Sequence, residues 1–308
     1  MSNDLPQPTR HVLKKVGFSI HSRHGRVPST GLLVLSIFST QIGAALAKGL
    51  FSSVGPVGAV ALRVGFSAIL LLLVARPRVA GYSRPTYLNI VLFGVALAAM
   101  NLCFYSALAH IPLGVAVTLE FVGPLSVSIS GSRRFITVLW VILAACGIAA
   151  LAPWTGATYN LLGMILALVA GGCWAAYIIF SSRVGRSVAG INGLALAMGV
   201  ASILLIPVGI VVTGVHLFHP TTLLVGLGVA LLSSVIPYSL EIEALRRLST
   251  RVFGLLMSME PAIATLVGLV LLGERIGIRS FVSIVLITIA IIGTLRGESR
   301  PTESTSAS

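Results

Sequence analysis

The sequence predicts an all-α integral membrane protein with ten transmembrane helices, arranged as two inverted repeats of five helices. Three observations lead to this fold class: ten long apolar stretches, connectors that alternate between basic and charge-poor, and two halves that resemble each other. A helix needs about 20 apolar residues to cross a bilayer, and only helices or closed barrels satisfy the backbone in lipid. The predicted spans are residues 31–51, 55–75, 86–108, 112–131, 135–152, 160–181, 191–214, 220–244, 251–273 and 277–296.

Composition and the placement of charge indicate a multi-pass membrane protein with almost no soluble domain. Hydrophobic residues make up 56% of the chain, charged residues make up 9%, and the mean hydropathy is +1.02. The net charge of +13 would suit a nucleic-acid partner, but all except four of the 21 Lys and Arg residues lie in the tails and in alternate connectors. The positive-inside rule then predicts that both termini are cytoplasmic. The expected partner is the lipid bilayer, and no nucleic-acid partner is expected.

An internal repeat divides the chain into two halves. The segment 43–48 aligns with 172–177, and with a slightly larger shift Pro124 aligns with Pro261. Each half has five spans, an odd number, so tandem halves have opposite orientations, as in many secondary transporters. The alternative is a chance alignment of apolar helices. The predicted divisions are a basic cytoplasmic tail at 1–29, repeats at 30–153 and 158–297, and a polar cytoplasmic tail at 298–308.

The first span could also be interpreted as a cleaved signal peptide. Ala45-Leu46-Ala47 resembles a cleavage site and follows a basic region. The apolar run is long for a signal peptide, however, and it has a counterpart in the second half. We therefore favour a retained first helix.

The sequence carries no pattern typical of an enzyme, a cofactor site or a metal centre. It lacks the Gly-x-Ser-x-Gly, His-Glu-x-x-His and phosphate-loop motifs. The three cysteines form no Cys-x-x-Cys pair and are interpreted as packing residues. His216 and His219 have no third ligand nearby in sequence. We predict no enzyme activity, no cofactor and no metal, and transport driven by an ion or substrate gradient.

Two glutamates near the middle of equivalent spans are the first site candidates. Glu120 lies in span four and Glu260 in span nine, each close to a proline. An ionisable group inside a span costs at least a few kcal/mol, so each is a functional candidate for binding a substrate ammonium group or carrying a proton. Pro124 and Pro261 are expected to kink their helices and to free the carbonyls of Glu120 and Met257. The alternative is a neutral glutamate, or one bonded to a Ser or Tyr on a neighbouring helix.

Further charged residues lie in or near the spans. Arg63 is deep in span two and could bind a substrate carboxylate or neutralise a glutamate. Lys48, near the outer end of span one, could serve the site or extend to water. Glu241 follows a predicted helix kink at Pro237 and an aromatic residue, Tyr238, near the cytoplasmic end of span eight. It is a weaker candidate because it lies near water.

Several other polar and aromatic residues are ambiguous. Trp174 and Tyr177 share one side of span six and could line a cavity or stack on a cation, although packing is the simpler interpretation. Asn101 in span three could bond a substrate hydroxyl or another helix. Glu243 and Arg247 are four residues apart, which is typical of an ordinary surface ion pair.

Five segments of the chain resemble the drug/metabolite transporter superfamily, specifically its EamA-type ten-helix members. They are residues 55–63, 111–125, 173–178, 236–241 and 253–262, within a similarity that covers roughly 30–297. The resemblance implies two inverted five-helix repeats in the bacterial inner membrane. It also implies proton-driven export of small amino acids such as threonine and homoserine. The residues that match the family's pattern are Arg63, Glu120, Trp174, Tyr238, Glu241 and Glu260, and the long basic N-terminal tail is a departure from it.

The leading hypothesis is a proton-coupled antiporter that exports threonine, homoserine and related amino acids. In this scheme Glu120 or Glu260 binds the substrate ammonium group, Arg63 or backbone N–H groups at a kink bind its carboxylate, and one glutamate exchanges a proton. The alternatives are efflux of cationic drugs or of another metabolite by the same fold, and a membrane-embedded sensor or structural partner. The sequence leaves open whether the protein is a monomer or a homodimer.

Overall fold

The computed structural model describes residues 28–130, 142–143, 146–147, 160–188, 191–245, 247–248 and 250–297. Both predicted tails and most of predicted span five, at 135–152, lie outside the described residues. In the described part of the first half, the helices are α1 Ser29–Gly49, α2 Phe51–Ala75, α3 Arg84–Leu108, α4 Leu113–Glu120 and α5 Val122–Ser130. The second half contains α6 Leu161–Gly185, α7 Asn192–Thr213, α8 Pro220–Ala230, α9 Ile236–Leu245, α10 Thr250–Met257, α11 Glu260–Leu271 and α12 Ile278–Gly297.

Local sequence signals account for several helix ends. Gly55 interrupts α2 with a φ of 65°, a conformation that glycine adopts without steric cost, and Pro56 then starts the main part of the helix. The side chain of Asn160 caps α6 by accepting a hydrogen bond from the Leu162 N–H at 2.9 Å. Gly214, also at a φ of 65°, ends α7.

Six helices in the described residues are long and apolar enough to cross a membrane, and three shorter apolar helices accompany them. The membrane fold is therefore confirmed, but predicted spans four and nine are not continuous helices. Span four breaks at Phe121, and span nine breaks at Ser258–Met259. Each break lies two or three residues before one of the predicted kink prolines, Pro124 and Pro261. A proline removes a backbone donor and its ring collides with the carbonyl four residues earlier, which explains the position of both breaks.

The broken helix occurs at matching positions in both halves. Leu113–Glu120 and Thr250–Met257 have the same length. The alignment that places Pro124 on Pro261 also places Leu113 on Thr250 and Glu120 on Met257. The two breaks therefore follow helices that are equivalent in the sequence alignment of the halves.

Most of the helix packing joins one half of the chain to the other. α1 packs against α9, α2 against α7, α3 against α6, and α4 against α11. Small buried residues on the paired helices, such as Ala61 on α2 and Ala197 on α7, allow backbones to approach closely, as is typical of membrane helices. On α3, a Cβ added to Gly94 would lie 2.7 Å from the Ala197 carbonyl oxygen. Among the described helices, the junction between the halves therefore carries most of the packing.

The outer surface of the bundle is apolar, as lipid contact requires. Val211, Leu73 and Leu88 expose 84%, 65% and 60% of their surface, respectively. Such a large apolar surface would drive aggregation in water and is satisfied by acyl chains.

Candidate functional site

Buried and half-buried polar side chains from both halves meet where α1, α2, α3 and α4 approach α9 and α11. Hydrogen bonds or electrostatic interactions connect these side chains to one another. The group, called the central polar cluster below, consists of Ser36, Gln41, Arg63, Tyr105, Glu120, Ser233, Tyr238, Glu241 and Glu260. Five of these residues were site candidates from the sequence: Arg63, Glu120, Tyr238, Glu241 and Glu260.

Glu120 is the last residue of α4 and exposes only 8% of its surface. Its carboxylate interacts electrostatically with Glu260 and Arg63. Within the described part of the chain, it has no hydrogen-bond or ion-pair partner at contact distance. A buried carboxylate without such a partner is costly in an apolar interior. Glu120 is therefore free to bind a cationic group or a proton.

Glu260 is the first residue of α11 and lies opposite Gln41 of α1. Gln41 Nε2 donates a hydrogen bond to Glu260 Oε1 at 3.0 Å. Gln41 was missed in the sequence analysis, although an amide in the middle of an apolar span was a detectable signal. The equivalence of Glu120 and Glu260 is also only approximate, because one ends a helix and the other begins one.

Arg63 brings a positive charge into the same cluster. Its Nη1 donates to the Tyr105 hydroxyl and its Nη2 to the Ser233 carbonyl, both at 3.4 Å. The guanidinium carbon lies 5.4 Å from the centre of the Tyr105 ring. No carboxylate among the described residues is within ion-pair distance of Arg63, although Glu120 is close enough to interact electrostatically. Arg63 thus presents a charge that no anion in the described part of the chain neutralises by contact.

The predicted kink at Pro237 takes the form of a five-residue π-helix. This stretch, Leu231–Val235, separates α8 from α9. Since Pro237 has no N–H, the carbonyl of Ser233 lacks its helical donor and accepts from Arg63 instead. The Leu232 carbonyl accepts from the Ser39 hydroxyl at 2.7 Å. The irregular backbone therefore supplies acceptors for the polar side chains that surround it, as π-bulges at functional sites often do.

Glu241 belongs to the cluster and not to the surface. The Ser36 hydroxyl of α1 donates to Glu241 Oε1 at 2.7 Å, and Glu241 also interacts electrostatically with Glu260 and Tyr177. The sequence placed Glu241 near water, because it does not show that α1 covers this part of α9.

The remaining aromatic candidates pack against other aromatic rings. Trp174 makes an edge contact with Phe121, at the break after α4, with ring centres 4.9 Å apart. Tyr177 makes an edge contact with Phe93, also at 4.9 Å. These contacts favour the packing interpretation for both residues.

Asn101 is engaged within its own helix. It exposes 5% of its surface, and its Nδ2 donates to the Leu97 carbonyl at 2.9 Å. No hydrogen bond among the described residues links this amide to the central polar cluster. The predicted surface pair of Glu243 and Arg247 is confirmed.

Lys48 does not extend to water but pairs with Glu274. Lys48 Nζ lies 2.7 Å from Glu274 Oε1, and Glu274 Oε2 accepts from the Leu113 N–H at 2.9 Å. This contact ties the end of α1 to the connector after α11 and to the start of α4. Glu274 was missed because its neighbour Arg275 made it look like part of a surface turn. Lys48 therefore lies apart from the cluster and holds one end of the bundle together.

We expect substitutions of Glu274 to destabilise the protein in a graded way. Glu274→Gln keeps an acceptor for the Leu113 N–H but loses the ion pair, whereas Glu274→Leu loses both interactions. Glu274 exposes only 9% of its side chain and Lys48 24%. The free energy of unfolding should therefore fall by about 1 kcal/mol in Glu274→Gln and by about 3 kcal/mol in Glu274→Leu. The melting temperature of the purified protein in detergent measures both losses. Arg247→Gln, which breaks an exposed pair, is the control and should change little; equal effects of all three would contradict this role.

The backbone of α6 lies close to the backbone of Glu120 and so constrains the break in span four. A Cβ added to Gly171 of α6 would lie 2.7 Å from the Glu120 carbonyl oxygen, whereas a Cβ added to the adjacent Gly172 would meet nothing within 4 Å. We therefore expect Gly171→Ala to lower the melting temperature by the equivalent of about 1–3 kcal/mol. Gly172→Ala should leave it within about 0.5 kcal/mol of the wild type. Equal stability of the two variants would show that α6 does not constrain this break.

Comparison with known proteins supports the resemblance seen in the sequence. Residues 161–296 match the EamA-like transporter family. The chain is 42% identical over 247 residues to "Threonine/homoserine exporter RhtA" of Salmonella typhimurium, covering 80% of this chain and 83% of that protein. It is 39% identical over 274 residues to the protein of the same name from Escherichia coli, covering 87% of this chain and 92% of that protein.

A more distant relative and a solved structure extend the comparison. An "Uncharacterized transporter" of Clostridium kluyveri is 27% identical over 168 residues, covering 51% of this chain and 53% of that protein. One crystal structure shares the fold, with a TM-score of 0.55 and 17% identity, over 90% of this chain and all of that one. The named relatives are transporters and not enzymes, in agreement with the lack of a catalytic motif. On the strength of its RhtA relatives, this chain belongs to the EamA-like transporter family.

Proposed function

We propose that this protein is a secondary transporter that exports small amino acids, among them threonine and homoserine, across the plasma membrane in exchange for protons. The names of its relatives in Salmonella and Escherichia coli support the substrate class. The observation that carries the proposal is the pairing of two opposite charges in one buried cluster, each without an ion-pair partner among the described residues. These are Arg63 and Glu120.

A zwitterionic amino acid needs one cationic and one anionic partner. Arg63 supplies a planar donor group suited to the substrate carboxylate, and Glu120 or Glu260 supplies a carboxylate for the ammonium group. Release of the substrate leaves a buried carboxylate without a cation. This carboxylate then takes up a proton from outside the cell. Exchange of the substrate ammonium group for a proton at one glutamate would couple the two fluxes.

The same site disfavours efflux of simple cations. A cationic drug would face the positive charge of Arg63, and the aromatic residues Trp174 and Tyr177 present their rings to other rings. An amino acid, which carries both charges, fits the cluster better than a cation alone.

We further propose that the two halves, 30–153 and 158–297, are inverted repeats with both termini in the cytoplasm. The pairing of helices supports this arrangement, because a twofold axis that exchanges the halves maps the α1–α9 contact onto the α3–α6 contact. It maps the α2–α7 contact onto itself. Substrate sites of inverted-repeat transporters lie near the midplane at the junction of the repeats, and the position of the central polar cluster between helices of the two halves supports the proposal.

Export of preloaded radiolabelled threonine from cells that overproduce the protein tests the proposal. Efflux should exceed that of cells with an empty vector, and a protonophore should abolish the excess. Excess efflux that resists the protonophore would remove proton coupling from the proposal. Efflux equal to that of the control cells would remove threonine as a substrate.

A further inference from the structure

Gln41 presents a buried acceptor that no other described residue uses. It lies on α1, exposes 2% of its surface, and donates through Nε2 to Glu260 Oε1. A carboxylate can only accept, so the amide nitrogen faces it and the amide oxygen is directed elsewhere. Neither Gln41 Oε1 nor Glu260 Oε2 has a hydrogen-bond partner among the described residues. Two acceptors, from two side chains joined by a hydrogen bond, are thus left without a donor.

Such atoms indicate that a donor is missing. Buried polar groups are nearly always hydrogen-bonded, because an unsatisfied one loses its hydration without compensation. A primary ammonium group carries three N–H donors and a positive charge, so it can satisfy an amide oxygen and a carboxylate oxygen together. The two free acceptors therefore match the chemistry of one ammonium group.

The position of Gln41 also agrees with a substrate held between opposite charges. Ser39 and Gly43, on either side of Gln41, contact the π-helical stretch: Ser39 bonds the Leu232 carbonyl, and a Cβ on Gly43 would lie 3.0 Å from the Ser233 nitrogen. The Ser233 carbonyl in turn binds Arg63. Gln41 lies at the same level of α1 but points to its other side, toward Glu260. Glu260 interacts electrostatically with Glu120, and Glu120 interacts with Arg63, so Gln41 and Arg63 belong to one connected group of side chains.

We propose that Gln41 is a specificity-determining residue that, together with Glu260, binds the primary ammonium group of the substrate. The inference rests on the proposed function and assigns a separate role to each of its residues. Gln41 and Glu260 hold the ammonium group, Arg63 holds the carboxylate, and Glu120 remains for the proton. Gln41 both positions the Glu260 carboxylate through Nε2 and contacts substrate through Oε1.

Binding of threonine and N,N-dimethylthreonine to the purified protein tests this role. Double N-methylation leaves one N–H donor, which cannot satisfy both acceptors, so the wild type should bind threonine about tenfold more tightly than the dimethyl compound. Gln41→Leu should weaken threonine binding about tenfold and reduce the preference to about twofold or less. Gln41→Met, which keeps the length of the side chain, serves if Gln41→Leu does not fold. Displacement of radiolabelled threonine gives both affinities.

A purely structural role would give a different result. If Gln41 only supported the fold, its substitution would weaken both compounds by the same factor, and the unchanged preference would overturn the inference. Asn101→Leu is the matched control, because it also replaces a buried amide, one that bonds within its own helix. It should leave the preference for threonine over N,N-dimethylthreonine at the wild-type value.

Failure of the proposed function can be recognised separately. If threonine does not bind to the wild type, the melting temperatures of wild type and Gln41→Leu are compared with a series of primary amines and their N,N-dimethyl derivatives. The inference stands if a primary amine stabilises the wild type more than its N,N-dimethyl derivative and Gln41→Leu removes the difference. It is overturned if no primary amine has this effect.

Discussion

Glu120→Gln is expected to abolish threonine export driven by a proton gradient while leaving the protein folded. Glutamine has the shape of glutamate but can neither carry a negative charge nor exchange a proton. Because Glu120 has no contact partner among the described residues, its replacement breaks no hydrogen bond of the fold. Since no proton can then be exchanged at this position, the flux driven by the proton gradient should fall to the background level of liposomes without protein.

Measurements in proteoliposomes separate proton coupling from the binding and translocation of threonine. With an imposed pH gradient, Glu120→Gln should show almost no net flux of threonine, yet exchange of internal for external threonine should continue. Glu243→Gln, on an exposed pair outside the cluster, is the control and should retain both activities. Gradient-driven export at the wild-type rate in Glu120→Gln would exclude Glu120 from proton coupling.

Arg63→Met is expected to weaken threonine binding by about 30-fold to 1,000-fold. The guanidinium is the one cation in the central polar cluster, and its proposed contact with the substrate carboxylate is charge-assisted. Arg63→Lys keeps the charge but loses the planar fork, so an intermediate loss of about tenfold is expected. Equilibrium binding of radiolabelled threonine to the purified variants gives these ratios.

A ligand without a carboxylate provides the control for Arg63. Threoninol keeps the ammonium and hydroxyl groups of threonine but lacks the carboxylate. Its affinity should be equal in the wild type and in Arg63→Met, or higher in the variant, because one positive charge has been removed. A parallel loss of affinity for threonine and threoninol would show that Arg63 acts through the fold and not through the carboxylate.

Much of the fold could be predicted from patterns within single segments. Apolar runs located the helices, and Pro124 and Pro261 marked the spans that break. What the sequence did not indicate is that these spans would separate into shorter helices, because the depth and packing of a kink depend on neighbouring helices. Gly171 is an example: its importance lies in its close approach to the Glu120 carbonyl, which belongs to a helix in the other half of the chain.

Site residues could be predicted from the sequence where burying their side chain in lipid costs much free energy. Residues whose burial costs little could not be recognised. Glu120, Glu260 and Arg63 were identified because a charge inside a span requires an explanation. Gln41 is neutral, and amides of this kind also occur in ordinary helix packing. Its role depends on a partner on a helix of the second half, and the sequence does not show which helices are neighbours.

The π-helix in the eighth span has a consequence for how the chain tolerates changes in length. A π-turn accommodates one residue more than an α-turn, so Leu231–Val235 is equivalent to a one-residue insertion in a continuous α-helix. Deleting one residue there would close a regular helix and leave the face carrying Tyr238 and Glu241 in place. The same deletion inside α7 would rotate everything beyond it by about 100°. The crossing itself does not need the additional residue, and the acceptor that Ser233 offers to Arg63 depends on Pro237 and not on the length of the π-turn.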